Sequence, residues 1–596
     1  MMNFKNLIQN QNNERKPSSN KAFITFLSIG LILISSFYII FTFLPPRGPN
    51  PPQDKILTWG MAGSPPYLDP IDSMDSQANA IIRQCTEGLW GYNYSDPEFP
   101  LIRVLAENEE WISPTHLRVT LRPSVFFHDM TPFIADAAIW NLERLEYMCN
   151  HTGYLNPHIQ RVTRTASLYE FPDGTPIIDH FTKISLLEFD IFLNSPFSDL
   201  LDIYAYVCGN MLSPTAHAAQ THRFITLQEN LVGTGPYIFD EYNANTDVIF
   251  SKNKYYEGPP GWSEPVYFDK LIFSIIDDDT SRNFAMLAGD IDWLQTVDPD
   301  FYDDFQSSPY ITFHESEIPG FEFSHIVMNH NKINTTWRKA ISYAINYTYI
   351  ISDYQNNTVL RAYGPISPAF GAYYKKDLDV IAPYMNYSIA RQTILDGLGS
   401  DARIAGLTAT EYREDPINDA DWNNAGLLTI NYSGLAEDVF YFDMYLKLQL
   451  WLTRIGLNVT NGLTSLNYYF KLLHDFTKNE IELIWAEWVP EYLSPMNQIQ
   501  PLMSNISFLN FGQINDLQME AWFVQWSLTT DFNERVELCH NISEYIVTVL
   551  YPHAYVYHPK VISIHAADLY NCPYNALGNF WAYPVKRNES WTPKKI

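Results

Sequence analysis

Stretches with an apolar residue at every second position alternate along the chain with stretches in which every third or fourth position is apolar. From Leu117 to Leu121 every second residue is apolar, which is typical of a half-buried strand. A turn around Asp129 follows. We expect a helix to begin near Pro132, because proline is tolerated in the first turn of a helix.

The stretch 280–294 predicts a helix followed by a strand. Thr280 is the predicted N-cap, and Phe284, Leu287 and Ala288 share one helical face. Gly289 is the predicted end of the helix, because glycine adopts the left-handed backbone angles of a helix C-terminus.

Two later stretches also begin with a helix. One helix places Trp337, Ile341, Ala344 and Ile345 on a single face. The other begins near residue 441, ends at Gly456 and leads into a strand. Strands alternate with helices throughout, with no repeat of fixed period, so the pattern predicts an α/β fold.

One segment near the N-terminus is uncharged throughout and mostly apolar. Residues 22–44 are long enough to cross a hydrocarbon core of about 30 Å at about 1.5 Å per residue. Basic residues precede it at Lys5, Arg15, Lys16 and Lys21, which predicts a cytoplasmic N-terminus for residues 1–21. Residues 45–53 are proline-rich and predict a stiff stalk. We therefore expect a single-pass protein of the cell membrane with a large extracellular domain.

Composition narrows the choice of function. The 596 residues are 46% hydrophobic and 18% charged, which predicts a substantial packed core. The formal net charge of -29 excludes nucleic acid as a partner, because phosphate backbones require clustered lysine and arginine. The acidic residues are interpreted as a solvated surface.

Acceptor sequences for N-glycosylation occur beyond the apolar segment and fit an exported glycoprotein. They lie at Asn93, Asn150, Asn334, Asn346, Asn356, Asn386, Asn431, Asn458, Asn505, Asn541 and Asn588.

The chain has five cysteines, an odd number, and no Cys-x-x-Cys pair. Outside the cell, pairing of Cys149 with Cys208 and of Cys539 with Cys572 is one prediction.

Residues 231–242 read LVGTGPYIFDEY, with two glycines that invite comparison with a phosphate-binding loop. Gly233 and Gly235 fit the first two positions of Gly-x-Gly-x-x-Gly, but Ile238 stands where the third glycine belongs. Pro236 and β-forming residues follow, where that motif requires the start of a helix. The stretch therefore predicts a tight turn into a strand, in which glycine supplies backbone angles that side chains resist.

Nine stretches, taken in order, resemble one known family. They are EGLWGYN from Glu87, LRPSVFFHDMTPFIADAAIWNLERL, VGTGPYIFDEY, the step Tyr255 to Gly258, LAGDIDWL, WRKAISYAINYTYII, YGPISP from Tyr363, LTRIGLNV and LYPHAYVYHP. The chain resembles the extracytoplasmic solute-binding proteins of ABC transporters, in the family (family 5) that includes oligopeptide-, dipeptide- and nickel-binding proteins. The resemblance covers about residues 54–565, and a stretch near 150–180 is less recognisable.

The resemblance implies an α/β, two-lobed periplasmic-binding-protein-like fold with a hinge and an inserted subdomain, here preceded by one transmembrane helix. Lobe one would take residues 54–325, with the subdomain at about 91–210. Lobe two would take residues 326–555, and residues 556–596 would return to lobe one. Such proteins close around a ligand by hinge rotation, and an ABC transporter permease would recognise the closed form.

The resemblance also points to a ligand-binding stretch at residues 484–498. In peptide-binding relatives a Trp-x-x-Asp pattern stands here, and the Asp receives the α-ammonium of the peptide. Trp488 matches the pattern, whereas Glu491 replaces the Asp, and Ser494 and Pro495 replace an acidic-Pro step. A carboxylate of Glu491 keeps this chemistry with one more methylene. The alternative interpretation is a solvated loop acid.

Further contacts follow from the same resemblance. Trp485, Trp488 and Tyr492 are candidate walls of a pocket, although tryptophan on a strand is equally typical of a core. Relatives pass backbone groups to extended ligands from the loop that here contains Gly63, Ser64 and Tyr67. Arg361 and Tyr363 are candidates for a ligand carboxylate, and an ion pair between the lobes is the alternative for Arg361.

The sequence contains no His-Glu-x-x-His, Gly-x-Ser-x-Gly, P-loop or paired-cysteine metal site, so we expect neither an enzyme nor a resident cofactor. The predicted protein is a monomeric receptor that captures oligopeptides for an ABC importer. Alternative cargoes are an oligosaccharide or a nickel chelate. A surface sensor or adhesion protein that retains the fold without transport is an alternative of another class.

Overall fold

The computed structural model describes residues 54–588, with gaps at 74, 95, 97–99, 150–162, 164, 172–173, 263, 476, 574 and 578–579. The expected transmembrane anchor (22–44) and stalk (45–53) lie outside the described residues. Within the described part of the chain, no helix is both long and apolar enough to span a membrane. The chain from Lys55 onward groups into one compact unit, which is described here.

Twenty strands are found in the described residues. They are β1 (Ile56–Met61), β2 (Trp90–Tyr92), β3 (Leu101–Arg103), β4 (Ala106–Ser113), β5 (His116–Leu121), β6 (Ile178–Lys183), β7 (Glu188–Leu193), β8 (Tyr237–Asn243), β9 (Asp247–Lys252), β10 (Lys270–Ile275), β11 (Trp293–Leu294), β12 (Ile311–Pro319), β13 (Phe323–Met328), β14 (Val359–Arg361), β15 (Leu428–Leu435), β16 (Leu457–Thr464), β17 (Leu483–Trp488), β18 (His553–Ala566), β19 (Leu569–Tyr570) and β20 (Lys586–Arg587).

The α-helices of the described residues range from single turns to fifteen residues. They are α1 (Ser76–Cys85), α2 (Ala135–Cys149), α3 (Leu200–Ala205), α4 (Asp279–Ala288), α5 (Tyr302–Ser307), α6 (Thr335–Ala344), α7 (Leu378–Ile381), α8 (Tyr387–Leu398), α9 (Pro416–Asn424), α10 (Val439–Thr453), α11 (Leu466–His474), α12 (Gln500–Met503), α13 (Leu517–Leu528) and α14 (Phe532–Tyr545).

Strand β18 joins two halves of the main sheet. The order of strands is β16-β15-β17-β13-β18-β11-β1-β10-β9-β8, and β12 and β14 also pair with β18. The first residues of β18 pair with β13, whereas its last residues pair with β11 and β12. We call the half with β1 and β8–β12 lobe one, and the half with β13–β17 lobe two.

The two halves of the main sheet meet beside β18, at the chain between β12 and β13. The short link between β12 and β13 contains Gly320, whose N–H donates to the carbonyl oxygen of Pro559 at 3.0 Å. The carbonyl oxygen of Gly320 accepts a hydrogen bond from the Ser367 hydroxyl at 2.6 Å. A Cβ at Gly320 would come within 2.8 Å of the Ala576 carbonyl oxygen, so this close approach of the two segments requires glycine at position 320.

A separate four-stranded antiparallel sheet, β4-β5-β7-β6, packs on lobe one and carries α2 beside it. Lobe one has a continuous apolar core that also includes residues of β19 and the stretch 580–585. The cores of lobe two lie on β13, β15 and β17 and under helices α6, α10 and α13. The α/β architecture expected from the sequence is therefore confirmed.

Several local predictions are also confirmed. Trp337, Ile341, Ala344 and Ile345 are all buried in the lobe two core. Gly289 and Gly456 both have left-handed backbone angles, with φ of 74° and 75°, directly after α4 and just after α10. Both helix ends were readable because a left-handed residue without a Cβ is a local requirement.

The predicted start of α2 was three residues too early. Pro132 forms an isolated β-bridge with Phe126, and the N–H of Phe133 donates to the Val125 carbonyl oxygen at 2.9 Å. These bonds hold the chain extended, so the helix begins at Ala135.

The predicted cap and buried face of α4 were wrong. Asp278, rather than Thr280, is the N-cap, and its carboxylate accepts from the Ser281 N–H at 2.7 Å. Phe284 is 57% exposed, whereas Arg282 and Met286 face inward. The guanidinium of Arg282 is drawn in because it donates to Ile276, Thr296 and Asp279.

Gly233 and Gly235 allow two segments to touch. A Cβ at Gly233 would lie 2.3 Å from the Cys85 carbonyl oxygen, and a Cβ at Gly235 would lie 2.6 Å from the Cys85 carbonyl carbon. The Gly235 N–H donates to that same oxygen at 2.9 Å. Strand β8 follows, as predicted. The reason for the glycines is close approach to the end of α1 and not an unusual φ, which corrects the expectation.

The predicted disulfides are absent, since all five cysteines are free thiols. Cys539 lies on α14 in lobe two, whereas Cys572 follows β19 in lobe one. Cys149 and Cys208 are both buried in lobe one, and their Sγ atoms face Thr163 and the Ser73 carbonyl oxygen respectively.

Candidate functional site

The loop that leaves β17 of lobe two is closed on itself by Asn497. Trp488 Nε1 donates to the main-chain oxygen of Asn497 at 2.9 Å, and the Glu491 N–H donates to Asn497 Oδ1 at 2.7 Å. A single turn of 3-10 helix, Pro495–Gln498, ends the loop, and Ser494 is its N-cap. We call residues 488–498 the binding loop.

The binding loop reaches into lobe one. The side chain of Tyr492 packs within the lobe one core. The Leu493 N–H donates to the hydroxyl oxygen of Tyr92 at 3.0 Å, and the Ser494 hydroxyl donates to Asp199 Oδ2 at 2.7 Å. The two lobes are therefore in contact through the binding loop.

Glu491 is buried in this loop and lacks a hydrogen-bond partner for one oxygen. Its residue exposure is 8%, and Oε2 accepts no hydrogen bond from any described residue. Burial raises the pKa of Glu491 to about 8, although the neighbouring Asn497 opposes this shift. Asn497 Nδ2 also makes no hydrogen bond among the described residues. The Asn497 amide and the Glu491 carboxyl are therefore neighbours, and neither Nδ2 nor Oε2 has a hydrogen bond of regular geometry to a described residue.

Two residues of lobe one lie close enough to Glu491 for its charge to act on them. Burial first, and then neighbouring charges that include Glu491, raise the pKa of both Tyr206 and Cys208. The Tyr206 hydroxyl donates to the Ser73 carbonyl oxygen at 2.7 Å. Both lobes thus contribute polar side chains to the space around Glu491.

The three predicted aromatic residues of this stretch have different surroundings. Trp485 is 2% exposed in the lobe two core, with its ring 4.9 Å from that of Phe440. Trp488 packs in a second lobe two core, and Tyr492 packs in lobe one. All three rings are therefore buried in apolar cores, those of Trp485 and Trp488 in lobe two and that of Tyr492 in lobe one.

The loop after β1 lies in lobe one. Ser64 Oγ donates to Asn245 Oδ1 at 2.9 Å, and the space beside Gly63 is bordered by Gln77 and Asp277. Tyr67 packs on the lobe one core. The contacts found for Gly63 and Ser64 do not include the binding loop, so their role towards a ligand stays a prediction.

Arg361 is occupied by main-chain oxygens. Its guanidinium donates to the carbonyl oxygens of Ala362, Tyr555, Val556 and Pro383. It lies 3.6 Å from the ring centre of Tyr347 and 5.2 Å from that of Tyr363. Among the ion pairs of the described residues, none includes Arg361, so the alternative of an ion pair between the lobes is not realised here.

Sequence analysis missed the residues of lobe one and lobe two that hold the binding loop in place. They are Tyr92, Asp199, Asp202, Trp526 and Arg535. Burial, followed by the charge of Asp199, raises the pKa of Asp202 to about 7. An aspartate directly before a helix is typical of an N-cap, so the sequence carried no separate signal for Asp199.

Within the residues that the structure describes, no group of three His, Cys, Asp or Glu side chains is arranged to hold a metal ion. The available chemistry at the binding loop is therefore that of one buried carboxylate, one amide and aromatic rings.

The family is decided by a comparison over most of the chain. A family model described as bacterial extracellular solute-binding proteins, family 5 Middle, matches residues 101–508. The chain belongs to this family. Its members are solute-binding proteins of ABC transporters and not enzymes, and the recognition made from the nine stretches is confirmed.

Curated relatives of this family 5 protein match in part. The glutathione-binding protein GsiB of Pectobacterium atrosepticum is 27% identical over 305 residues, which are 50% of this chain and 53% of that protein. GsiB of Escherichia coli is 28% identical over 317 residues, or 52% and 56% of the two chains. The chain thus spans about half the length of the curated relatives it matches.

Solved structures show the family 5 fold over nearly the whole chain. A dipeptide-binding protein of Pseudoalteromonas in complex with Met-Leu superimposes with a TM-score of 0.72 at 18% identity, over 90% of this chain and 100% of that one. The oligopeptide-binding protein AppA of Bacillus subtilis, in complex with a nonapeptide, gives 0.69 at 16% identity over the same shares. NikA of Staphylococcus aureus, with Ni(L-His)2, gives 0.68 at 15%, again over 90% and 100%.

Proposed function

We propose that this protein is a membrane-anchored extracellular receptor that captures oligopeptides between two closing lobes and delivers them to an ABC importer, without chemistry of its own. The observation that carries the proposal is the buried Glu491 carboxylate between the lobes, with an oxygen that has no partner among the described residues. A buried carboxylate requires a hydrogen-bonded cation to compensate its lost hydration.

The α-ammonium of a peptide meets this requirement. It would donate to Glu491 Oε2 in a charge-assisted hydrogen bond, which is stronger than a neutral one. The adjacent Nδ2 of Asn497 is a donor without a hydrogen bond of regular geometry among the described residues, and the first carbonyl oxygen of a peptide is an acceptor next to its ammonium. Trp488 and Tyr492 stand on either side of Glu491 in the chain and would border the apolar part of the first residue.

The comparisons support peptides of several sizes. The similar structures include complexes with a dipeptide and with a nonapeptide, and the curated relatives are glutathione-binding proteins. A nickel chelate is the second candidate because the fold of NikA, with Ni(L-His)2, is also similar. Binding of an intact chelate would require no protein ligand to the metal.

The proposal includes a topology. Residues 1–21 would be cytoplasmic, 22–44 the membrane anchor and 45–53 the stalk, with a monomeric domain outside. Lobe one (54–325 with the subdomain at 91–210), lobe two (326–555) and the return segment (556–596) complete it. Asn505 and Asn541 are exposed acceptors of N-glycans in this orientation.

Thermal unfolding of the full chain in detergent, with and without ligand, tests the proposal. The probes are glutathione, Met-Leu, a pool of longer peptides, oligosaccharides and Ni(L-His)2. A ligand present at a hundredfold excess over its dissociation constant should add about 2.7 kcal/mol to the free energy of unfolding. We expect peptides to raise the melting temperature and Glu491→Gln to abolish that rise.

Glu411→Gln is the matched control, because Glu411 accepts from the Tyr387 and Ser388 N–H groups at the start of α8 in lobe two. This variant should keep the peptide response. If only oligosaccharides or only Ni(L-His)2 raised the melting temperature, the protein would bind that ligand and the proposed oligopeptide cargo would be wrong. No response to any probe would argue for a sensor or adhesion protein.

A further inference from the structure

Asp199 stands at the N-cap position of α3 but does not cap this helix. Its side chain accepts no hydrogen bond from the first N–H groups of α3. An aspartate before a helix ordinarily accepts from the second or third helical N–H. The carboxylate is nevertheless 97% buried as a side chain, since its exposure is 3%, so its hydrogen bonds must come from elsewhere.

Those hydrogen bonds come from lobe two. Asp199 Oδ2 accepts from the Ser494 hydroxyl at 2.7 Å and from Trp526 Nε1 at 3.0 Å. Asp199 Oδ1 accepts from the guanidinium of Arg535, with which it forms an ion pair. Ser494 belongs to the binding loop, Trp526 to the end of α13 and Arg535 to the first turns of α14. One lobe one carboxylate therefore joins three separate parts of lobe two.

The residue before Asp199 adds two further contacts between the lobes. The Ser198 N–H donates to the Ser527 carbonyl oxygen at 3.0 Å, and its hydroxyl donates to the Trp526 carbonyl oxygen at 3.2 Å. Both acceptors lie in the last turn of α13, where carbonyl oxygens have no partner within the helix. Ser198 thus gives the Ser527 oxygen a partner from lobe one and is a second donor to the Trp526 oxygen, which also accepts from the Thr529 N–H at 3.1 Å.

On the lobe two side of this contact, the Arg535 side chain stacks on Trp526. The guanidinium carbon of Arg535 lies 4.2 Å from the ring centre of Trp526, and the Arg535 side chain is 15% exposed. Stacking on an indole holds the planar guanidinium in one orientation. If the lobes separated, Asp199 and Arg535 would each lose a charged partner, and Ser494 and Trp526 would lose a hydrogen-bond acceptor.

We propose that Asp199 is a positioning residue that latches the binding loop and helices α13 and α14 of lobe two onto lobe one, and so sets how long the closed lobes retain a ligand. The effect on a ligand rests on the proposed function, whereas the latch itself does not. Asp199 acts through Ser494, three residues from Glu491, without touching the ligand.

Hydrogen–deuterium exchange of the full chain without ligand tests the latch, because two main-chain N–H groups donate across the lobe boundary. They are those of Ser198 and Leu493. Asp199→Asn keeps the shape but removes the charge, and we expect exchange at both amides to become about tenfold faster or more. Arg535→Gln, from the other lobe, should give the same acceleration.

Asp190→Asn is the matched control. Asp190 is also buried and pairs with Arg118 and His116, but all three lie within the β5–β7 part of lobe one. We expect this variant to leave exchange at Ser198 and Leu493 as in the wild type, even where it lowers the melting temperature. Wild-type exchange at both amides in Asp199→Asn and in Arg535→Gln, with both variants folded, would overturn the latch.

A kinetic measurement with Met-Leu as the probe separates the latch from the proposed function. The latch predicts that Asp199→Asn accelerates dissociation of Met-Leu about tenfold while leaving the association rate constant unchanged, since the bonds form after the ligand has entered. Unchanged dissociation would overturn the role of Asp199 in ligand retention. Failure of the wild type to bind any peptide would count against the proposed function, and the exchange result would still decide the latch.

Discussion

His325 and His553 stack on each other in the interior of lobe two, with ring centres 4.6 Å apart and planes at 23°. Their exposures are 0% and 4%, and none of their ring nitrogens has a hydrogen-bond partner among the described residues. Burial lowers the pKa of His325 to about 3 and holds that of His553 well below its ordinary value. Two neutral rings therefore sit where a charged ring would be strongly disfavoured.

This pair predicts sensitivity to acid. The unfolded chain protonates both histidines near their ordinary pKa of about 6.5, whereas the folded chain keeps His325 neutral to about pH 3. The free energy of unfolding should therefore fall as the pH drops from 6.5 towards 3, by up to about 1.4 kcal/mol per pH unit for each histidine. His553→Phe should reduce this slope, because the ring remains and the titrating nitrogens do not.

Urea unfolding at pH 7 and at pH 4.5 measures that difference. The control is His180→Phe, at an exposed position of β6, which should keep the wild-type slope. An unchanged slope in His553→Phe would show that the buried pair does not govern the acid response.

Glu491 predicts the opposite pH dependence of stability. Its pKa is raised from an ordinary 4.5 to about 8, so the folded, ligand-free protein binds a proton that the unfolded chain has already lost in this range. The free energy of unfolding should therefore decline as the pH rises from 4.5 to about 8. In Glu491→Gln this part of the decline should vanish, as measured by urea unfolding across the same range.

The same carboxyl predicts how affinity for a peptide changes with pH. The α-ammonium requires an ionised Glu491, so below about pH 8 binding must first remove a proton. Affinity for Met-Leu should rise about tenfold per pH unit between about pH 6 and pH 7.5 and fall again above about pH 8, where the α-amino group of the peptide loses its own proton. Calorimetry in two buffers of different ionisation enthalpy would detect the released proton. A flat profile would mean that Glu491 does not receive the ammonium.

The hydrogen bonds of Asn497 predict that the binding loop is destabilised when this side chain is removed. Asn497→Ala removes the acceptor of the Glu491 N–H and should cost about 1–3 kcal/mol, the penalty of a buried donor left unpaired. Trp488→Phe removes the other bond that closes the loop, from the indole N–H to the Asn497 main-chain oxygen, together with part of a ring in the lobe two core, but it leaves the Asn497 amide in place. We expect affinity for Met-Leu to fall more in Asn497→Ala than in Trp488→Phe. Equal affinities would contradict a role of the amide.

The close contact at Gly233 predicts that a larger residue at this position disrupts packing. In Gly233→Ala the new Cβ would lie 2.3 Å from the Cys85 carbonyl oxygen, so α1 and the turn before β8 would have to separate. Overpacking of this kind typically costs about 1–3 kcal/mol. Gly63→Ala is the control, since its nearest neighbours would be 3.9 Å and 4.0 Å away. Differential scanning calorimetry should show a lower melting temperature for the first variant only.

Much of the fold was readable from short stretches of sequence. The apolar stripe of Trp337, Ile341, Ala344 and Ile345 specified α6, and Gly289 and Gly456 marked two helix ends. These features depend on spacings of a few residues and on local backbone angles, which the sequence displays directly. The order of strands and helices then sufficed for an α/β architecture.

Only the tertiary structure decided which polar residues matter between the lobes. The partners of Asp199 lie 295 to 336 residues further along the chain, so local patterning marked it as a helix cap and nothing else. In α4 the face with Arg282 points inward, because its guanidinium donates to Ile276 and Thr296, which lie outside this helix. The sequence itself determined local periodicity and the carboxylate available at Glu491. Burial and the pairing of distant groups decided the rest, because desolvation depends on what the folded chain brings together.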